Sequence, residues 1–438
     1  MLDISILNAN SKNFWSELDN AIQLDISQDI SIQHTVNDIL MNVKTYGDKS
    51  VIEYTNKFDN RELRVAQDFC LTPAHLKNAF DNLAQEQKDA LQHAYNRLLE
   101  YHQRQRAISG ESWEFYDEHD NLLGQKVSPI DSVGIYVPGG KASYPSSVLM
   151  NAVPAKVAGV PNIVMVVPSP QNYLNDLVLA AAHLAGVNKV YTIGGAQAIA
   201  ALAYGTQTIP AVNKIVGPGN AYVAQAKRQV FGKVGIDMIA GPSEILIIAD
   251  GSVNPDWVAM DLFSQAEHDE LAQSILVSLD EDYSQKVIQS MNKLIEDMPR
   301  KEIIAQSINN RGLIINVNNI QAACKISNYI APEHLEISSA KNYDEYLPLI
   351  QNAGAIFIGA YSSEALGDYC AGPNHVLPTS GTAKFSSPLG VYDFQKRSSI
   401  LHITKEGANE LGSTTQILAL GEGLQAHAKS AEFRMKKG

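Results

Sequence analysis

Between residues 133 and 249 the chain alternates between two kinds of pattern, and that rhythm limits its fold more than any other feature. Five short apolar, β-branched runs occur at Val133–Val137, Ile163–Val167, Lys189–Ile193, Lys214–Val216 and Glu244–Ala249. Helical patterns at Val148–Ala158, Leu177–Ala185, Ala196–Ala203 and Ala221–Phe231 separate most of them. Strands that alternate with helices predict βαβ units and a parallel sheet. Ser274–Ser278, Gly312–Val317 and Ala355–Ile358 read as further strands. The expected class is therefore α/β, with two Rossmann-like parallel-sheet domains, one inserted in the other. A small N-terminal arm and a C-terminal helical tail complete it. The expected boundaries are 1–28 for the arm, 29–135 with 244–388 for the main domain, 136–243 for the inserted domain and 389–438 for the tail.

Ligands of parallel sheets sit beyond the carboxyl ends of strands. Here those ends carry Tyr136-Val137-Pro138-Gly139-Gly140, Gly194-Gly195-Ala196-Gln197 and Gly217-Pro218-Gly219-Asn220. Glycine permits close backbone approach, and a helix N-terminus offers free N–H groups to phosphate. The dinucleotide fingerprint is absent, however: the Gly217 turn lacks a third glycine and Gly194-Gly195 has the wrong spacing. On spacing alone, a nucleotide site and ordinary βα turns both fit.

Four polar clusters fall outside this pattern. A helix opens at Asn254, a good N-cap, with Pro255 at its first position. Asp261, Gln265 and His268 follow at i, i+4 and i+7 on one face. Ala331-Pro332-Glu333-His334-Leu335 sets an acid beside an imidazole. Gly367-Asp368-Tyr369-Cys370 leads into Gly372-Pro373-Asn374-His375, and Gly421-Glu422-Gly423 leads to His427 in the tail. Taken singly, each cluster also reads as a cap, a turn or a solvated face. Taken together, an amide oxygen, two imidazoles and a carboxylate make a mixed O/N donor set that zinc accepts, with room for a substrate. No HExxH motif occurs, so a zinc peptidase is not indicated.

Composition narrows the partners. A formal charge of −13 over 438 residues argues against nucleic acid or an anionic membrane as the main partner. The three cysteines, Cys70, Cys324 and Cys370, are far apart, which points to a reducing cytoplasm rather than a disulfide framework. No basic leader and no membrane-length apolar run is present.

Eight segments, in order, resemble the histidinol dehydrogenase family. They are Val133–Gly140, Gly194–Ile199, Val216–Asn220, Ala240–Glu244, Ser264–His268, Ala331–Leu335, Gly372–Pro378 and Glu422–His427. The resemblance implies zinc ligands at Gln265, His268, Asp368 and His427, one zinc per subunit. It implies an acid–base pair at Glu333 and His334, and NAD contacts at Tyr136, Gln197 and Asn220. It implies substrate contacts at Ser243, His334 and Glu422 together with the four metal ligands. It further implies a homodimer whose active sites are shared, with Glu422 and His427 reaching the partner subunit's site.

The reaction so implied takes L-histidinol through the aldehyde to L-histidine with two NAD, the last steps of histidine biosynthesis. Each oxidation removes a hydride and a proton, and His334 suits proton removal because imidazole titrates near neutrality. Cys370 is expected to be a small packing residue and not a nucleophile. Two readings compete with this one. A metal-dependent hydrolase would reduce no NAD, and a non-enzymatic metal- or nucleotide-binding protein would leave the Glu333–His334 adjacency without a purpose.

Overall fold

The computed structural model describes residues 2–23, 30–139, 144–341 and 343–435. Gly140, the expected arm boundary near residue 28 and the last basic residues lie outside these. Strands are numbered in chain order, and three sheets organise them. The first contains β2 (Cys70–Leu71), β5 (Ser132–Tyr136), β6 (Asn162–Val166), β7 (Lys189–Tyr191), β8 (Lys214–Val216) and β9 (Gly235–Ile236). Its order is β2-β7-β6-β5-β8-β9, parallel except for β2 at one edge. The second contains β1 (Ser5–Asn8), β10 (Glu244–Ala249), β11 (Gln273–Ser278), β12 (Leu313–Asn316), β13 (His334–Ser338) and β14 (Ala355–Ile358). It is wholly parallel, in the order β1-β12-β11-β10-β13-β14. The third is antiparallel, β15 (Gln395–His402) with β4 (Leu122–Pro129) and β3 (Trp113–Tyr116).

Both large sheets are buried on two faces, and the period of two along each strand decides which side chain goes where. Val133, Ile135, Ile163 and Met165 join one apolar cluster, while Tyr136, Val164 and Val166 join the one behind it. In the second sheet Ile245, Ile247 and Ala249 face one way and Leu246 and Ile248 the other. The predicted α/β class and parallel sheets are thus observed. Apart from the edge strands β2 and β1, which come first in the chain, each large sheet starts in the middle, winds one way, then returns to the other side of that central strand. The order therefore reverses between β5 and β8 and between β10 and β13.

Three expected boundaries need correction. The 1–28 segment is not a detached arm: β1 forms an edge of the second sheet, and the helix Phe14–Ile22 covers that sheet through Phe14 and Leu18. Residues 29–135 pack mainly on the first sheet and touch 244–388 only locally, as where Arg97 donates to the Cys370 and Ala371 carbonyls. Val36, Ile39, Leu40 and Val43 cover one face of the first sheet, and Leu76, Leu91, Ala94 and Leu98 the other. That sheet is apolar on both faces, and its own crossovers leave area that these helices fill. The tail is not separate either, because β15 pairs along eight residues with β4.

Candidate active site

Glu333 and His334, the expected acid–base pair, are delivered by a helix end. The helix Ile320–Ile330 stops at Ala331, which takes a left-handed conformation, and Pro332 prevents continuation. Glu333 and His334 then enter the amino end of β13, beside the amino end of β10. One residue holds both. The backbone N–H of Glu244 donates to Glu333 Oε2 at 2.9 Å, and His334 Nδ1–H donates to the Glu244 carbonyl at 3.0 Å. The Glu244 carboxylate in turn accepts from the Ser380 N–H at 2.9 Å. With Nδ1 committed, the lone pair of the neutral His334 ring lies on Nε2, which is buried without a hydrogen bond and 3.5 Å from Asp368 Oδ1.

The surroundings are acidic and dry. His334 Nδ1 lies 3.7 Å from Glu333 and 3.6 Å from Glu364. Burial pushes the carboxyls of Glu333 and Glu364 each up to about 8, against the pull of the imidazole. Burial alone would lower His334, yet Glu364, Glu333 and Asp368 outweigh it and raise the ring well above its ordinary value. Burial would raise Asp368, but its contact with His334 keeps it below the usual carboxylate range. Charges that a low-dielectric site disfavours singly are thus sustained as a group.

Gln265 and His268 stand at the end of the helix Pro255–Ala266, whose Asn254 cap accepts from the Asp256 N–H as expected. Amide oxygen and nitrogen are distinguished by their partners. Glu364 Oε1 at 3.0 Å and the Glu244 carbonyl at 3.1 Å are acceptors, so the two amide hydrogens of Gln265 face them. The amide oxygen then accepts from His268 Nδ1–H at 3.1 Å, which leaves His268 Nε2 free. Asp261, one turn earlier, hydrogen-bonds Glu336 instead of joining this pair.

Fold and electrostatics therefore bring Gln265, His268, Glu333, His334 and Asp368 together at the amino ends of β10 and β13. Sequence reasoning missed two members. Glu364 lies one helical turn before Asp368, and the ligating atoms of His334, Glu364 and Asp368 all fall within 4.8 Å of one another. His375 has a buried Nε2 without a partner and feels the charges of Asp368, His334 and His268. Ser243 sits just before β10, its carbonyl accepting from the Gln273 N–H at 3.0 Å.

The cofactor candidates occupy the carboxyl ends of the first sheet. Tyr136 ends β5, and its hydroxyl accepts from the Gly195 N–H at 3.1 Å. Gln197 is buried with its Oε1 unpartnered. Asn220 caps the helix Ala221–Val230 by accepting from the N–H groups of Tyr222 and Val223. Tyr136 and Asn220 flank the point where the strand order reverses, the place where open α/β sheets take ligands.

Comparison with known proteins identifies the family. The histidinol dehydrogenase family model matches residues 24–435. The chain belongs to the histidinol dehydrogenase family. It is 58% identical to the histidinol dehydrogenase of Neisseria gonorrhoeae, over 98% of this chain and 99% of that one. It is 57% identical to that of Dechloromonas aromatica, over the full length of both. The crystal structure of histidinol dehydrogenase from Elizabethkingia anophelis superposes with a TM-score of 0.93 at 34% identity, covering 99% of this chain and 98% of that one. Of the family positions, Glu422 and His427 stand apart within the single chain. Both are exposed on the tail, and no described side-chain hydrogen bond or ion pair links them to the cluster.

Proposed function

We propose that this protein is an NAD- and zinc-dependent histidinol dehydrogenase that oxidises L-histidinol twice, through the aldehyde, to L-histidine. The observation that carries the reading is the pinning of Glu333 and His334 to one backbone residue, with the free His334 Nε2 beside Asp368.

The donor set fits zinc: an amide oxygen at Gln265, a ring nitrogen at His268 and a carboxylate at Asp368 are ligands that zinc accepts. His427 would complete the set from the partner subunit, and Glu422 would contact substrate there. When bound, zinc would anchor the imidazole and amine of the substrate, and NAD would accept the hydride.

The chain itself handles protons. His334 Nε2 takes the hydroxyl proton as hydride leaves the carbon that bears the hydroxyl, and the hydrogen bond to Glu244 keeps the ring in that tautomer. The carboxylates of Glu364, Glu333 and Asp368 stabilise the resulting imidazolium. His334 releases that proton to solvent, Glu333 removes a proton from the water that adds to the aldehyde, and His334, neutral again, takes the hydroxyl proton as the hydrate is oxidised. Tyr136, Gln197 and Asn220 would line the nicotinamide side, and Ser243 the substrate side. The turnover consumes two NAD and one water and releases two NADH.

The test is the number of NADH formed per histidinol, with and without a chelator. Two are expected with metal and none after its removal. NADH formation unaffected by the chelator would refute the role given to zinc, and no NADH at all would refute the oxidation.

A further inference from the structure

The turn Gly217-Pro218-Gly219-Asn220 is held by an ion pair that the chemistry above does not use. Lys227, buried in the helix Ala221–Val230, donates through Nζ to the Gly217 carbonyl at 3.0 Å and to Asp237 Oδ1. Asp237 Oδ2 accepts from the Gly217 N–H at 2.8 Å. The two side chains are 3% and 1% exposed, so a complete charge pair has been taken out of water to grip one residue by both its backbone groups. Gly217 has φ +107°, and a Cβ there would overlap the Tyr136 carbonyl oxygen. The pair thus fixes a residue that only glycine can supply against the end of β5, where the first sheet reverses its order.

Stability alone explains this poorly. Well-packed apolar residues of similar volume commonly replace a buried ion pair at no cost, whereas loss of one partner is strongly destabilising. What apolar residues could not do is hold a peptide N–H and a carbonyl in place. We propose that Lys227 and Asp237 are positioning residues for the dinucleotide: they set the Gly217–Asn220 turn in the shape that receives NAD. This rests on the reading that NAD binds at Tyr136, Gln197 and Asn220.

The test compares wild type, K227M and the double variant K227M/D237L. It reads KM for NAD, KM for histidinol, bound zinc, thermal stability and direct NAD binding by calorimetry. In K227M, KM for NAD should rise at least tenfold, with KM for histidinol within twofold and zinc retained. The double variant should recover thermal stability towards wild type but keep the weak NAD binding. Recovery of both together, or a native NAD KM in K227M, would overturn the proposal. Should K227M fail to fold, the double variant decides alone. A wild type that binds no NAD by calorimetry would instead sink the functional reading beneath it.

Discussion

Replacing Glu333 with Gln isolates one proton transfer while keeping the shape of the site. The amide oxygen of Gln can still accept from the Glu244 N–H, so the end of β13 should stay in place. What disappears is a carboxyl that burial has pushed from 4.5 up to about 8. Its folded-state value is raised, so between those limits the folded chain holds a proton that the unfolded chain releases. Wild-type stability should therefore fall as pH rises through this window and level off above about 8. Each tenfold change in proton affinity is worth about 1.4 kcal/mol, which caps the loss between pH 6 and 8 at about 3 kcal/mol. A loss of that order would appear as several degrees of melting temperature in a scan against pH. Glu333→Gln should flatten this component. For catalysis, loss of a positioned base costs about 10²–10⁴-fold. Only the aldehyde step needs it, so the NADH yield should fall from two per histidinol towards one, with aldehyde detectable. The second oxidation in wild type should climb with pH towards about 8, where Glu333 ionises. Two NADH per histidinol at near wild-type rate, together with an unchanged stability profile, would refute the assignment.

Other perturbations test separate parts of the site. Gly217→Ala puts a methyl into the Tyr136 carbonyl and a side chain at positive φ, so NAD affinity should drop tenfold or more with zinc content intact, as titration of NAD and metal analysis would show. Mixing His427→Ala with Glu333→Gln chains should restore histidine formation above either parent, because one site of each mixed dimer is then intact; histidine formation that never exceeds the parents counts against a shared site. Cys370 is half-buried among apolar neighbours, so Cys370→Ser should keep both oxidations within a few-fold, and loss of only the aldehyde step would reveal a thiol nucleophile.

Much of the fold was legible in the sequence because it rests on periodicities of two and 3.6. Every β-branched run between 133 and 249 became a strand, and Asn254-Pro255 opened its helix as the cap chemistry requires. What stayed hidden was non-local. β1 is four residues long and sits at a sheet edge, with a pattern too short and too polar to stand out. The helical stripes at Val36–Val43 and Leu91–Leu98 announced a buried face without saying against which sheet. Within the site, Glu364 carried a usable sign, since it lies four residues before Asp368 on one helical face. Glu336 did too, two residues after His334 on the same face of a strand. Both were passed over because a carboxylate on an apolar element reads as surface until the neighbours that desolvate it are known. One placement ran against expectation. The parallel-sheet rule points to carboxyl ends, and it fits the turns of the first sheet. The acid cluster of the second sheet gathers at amino ends, because the helices entering β11 and β13 finish there.

Glu244 has a wider consequence. It anchors both proton-handling groups through its own main chain, at the first residue of a central strand, so neither can shift without unzipping β10 from β13. A double oxidation at one place needs the first reduced dinucleotide to leave and a fresh one to arrive while the aldehyde waits. With the acidic wall locked into the sheet, the proposed NAD site at the glycine turns of the first sheet would carry that traffic. Exchange of the carrier, and not rearrangement of the acids, would then set the tempo of the enzyme.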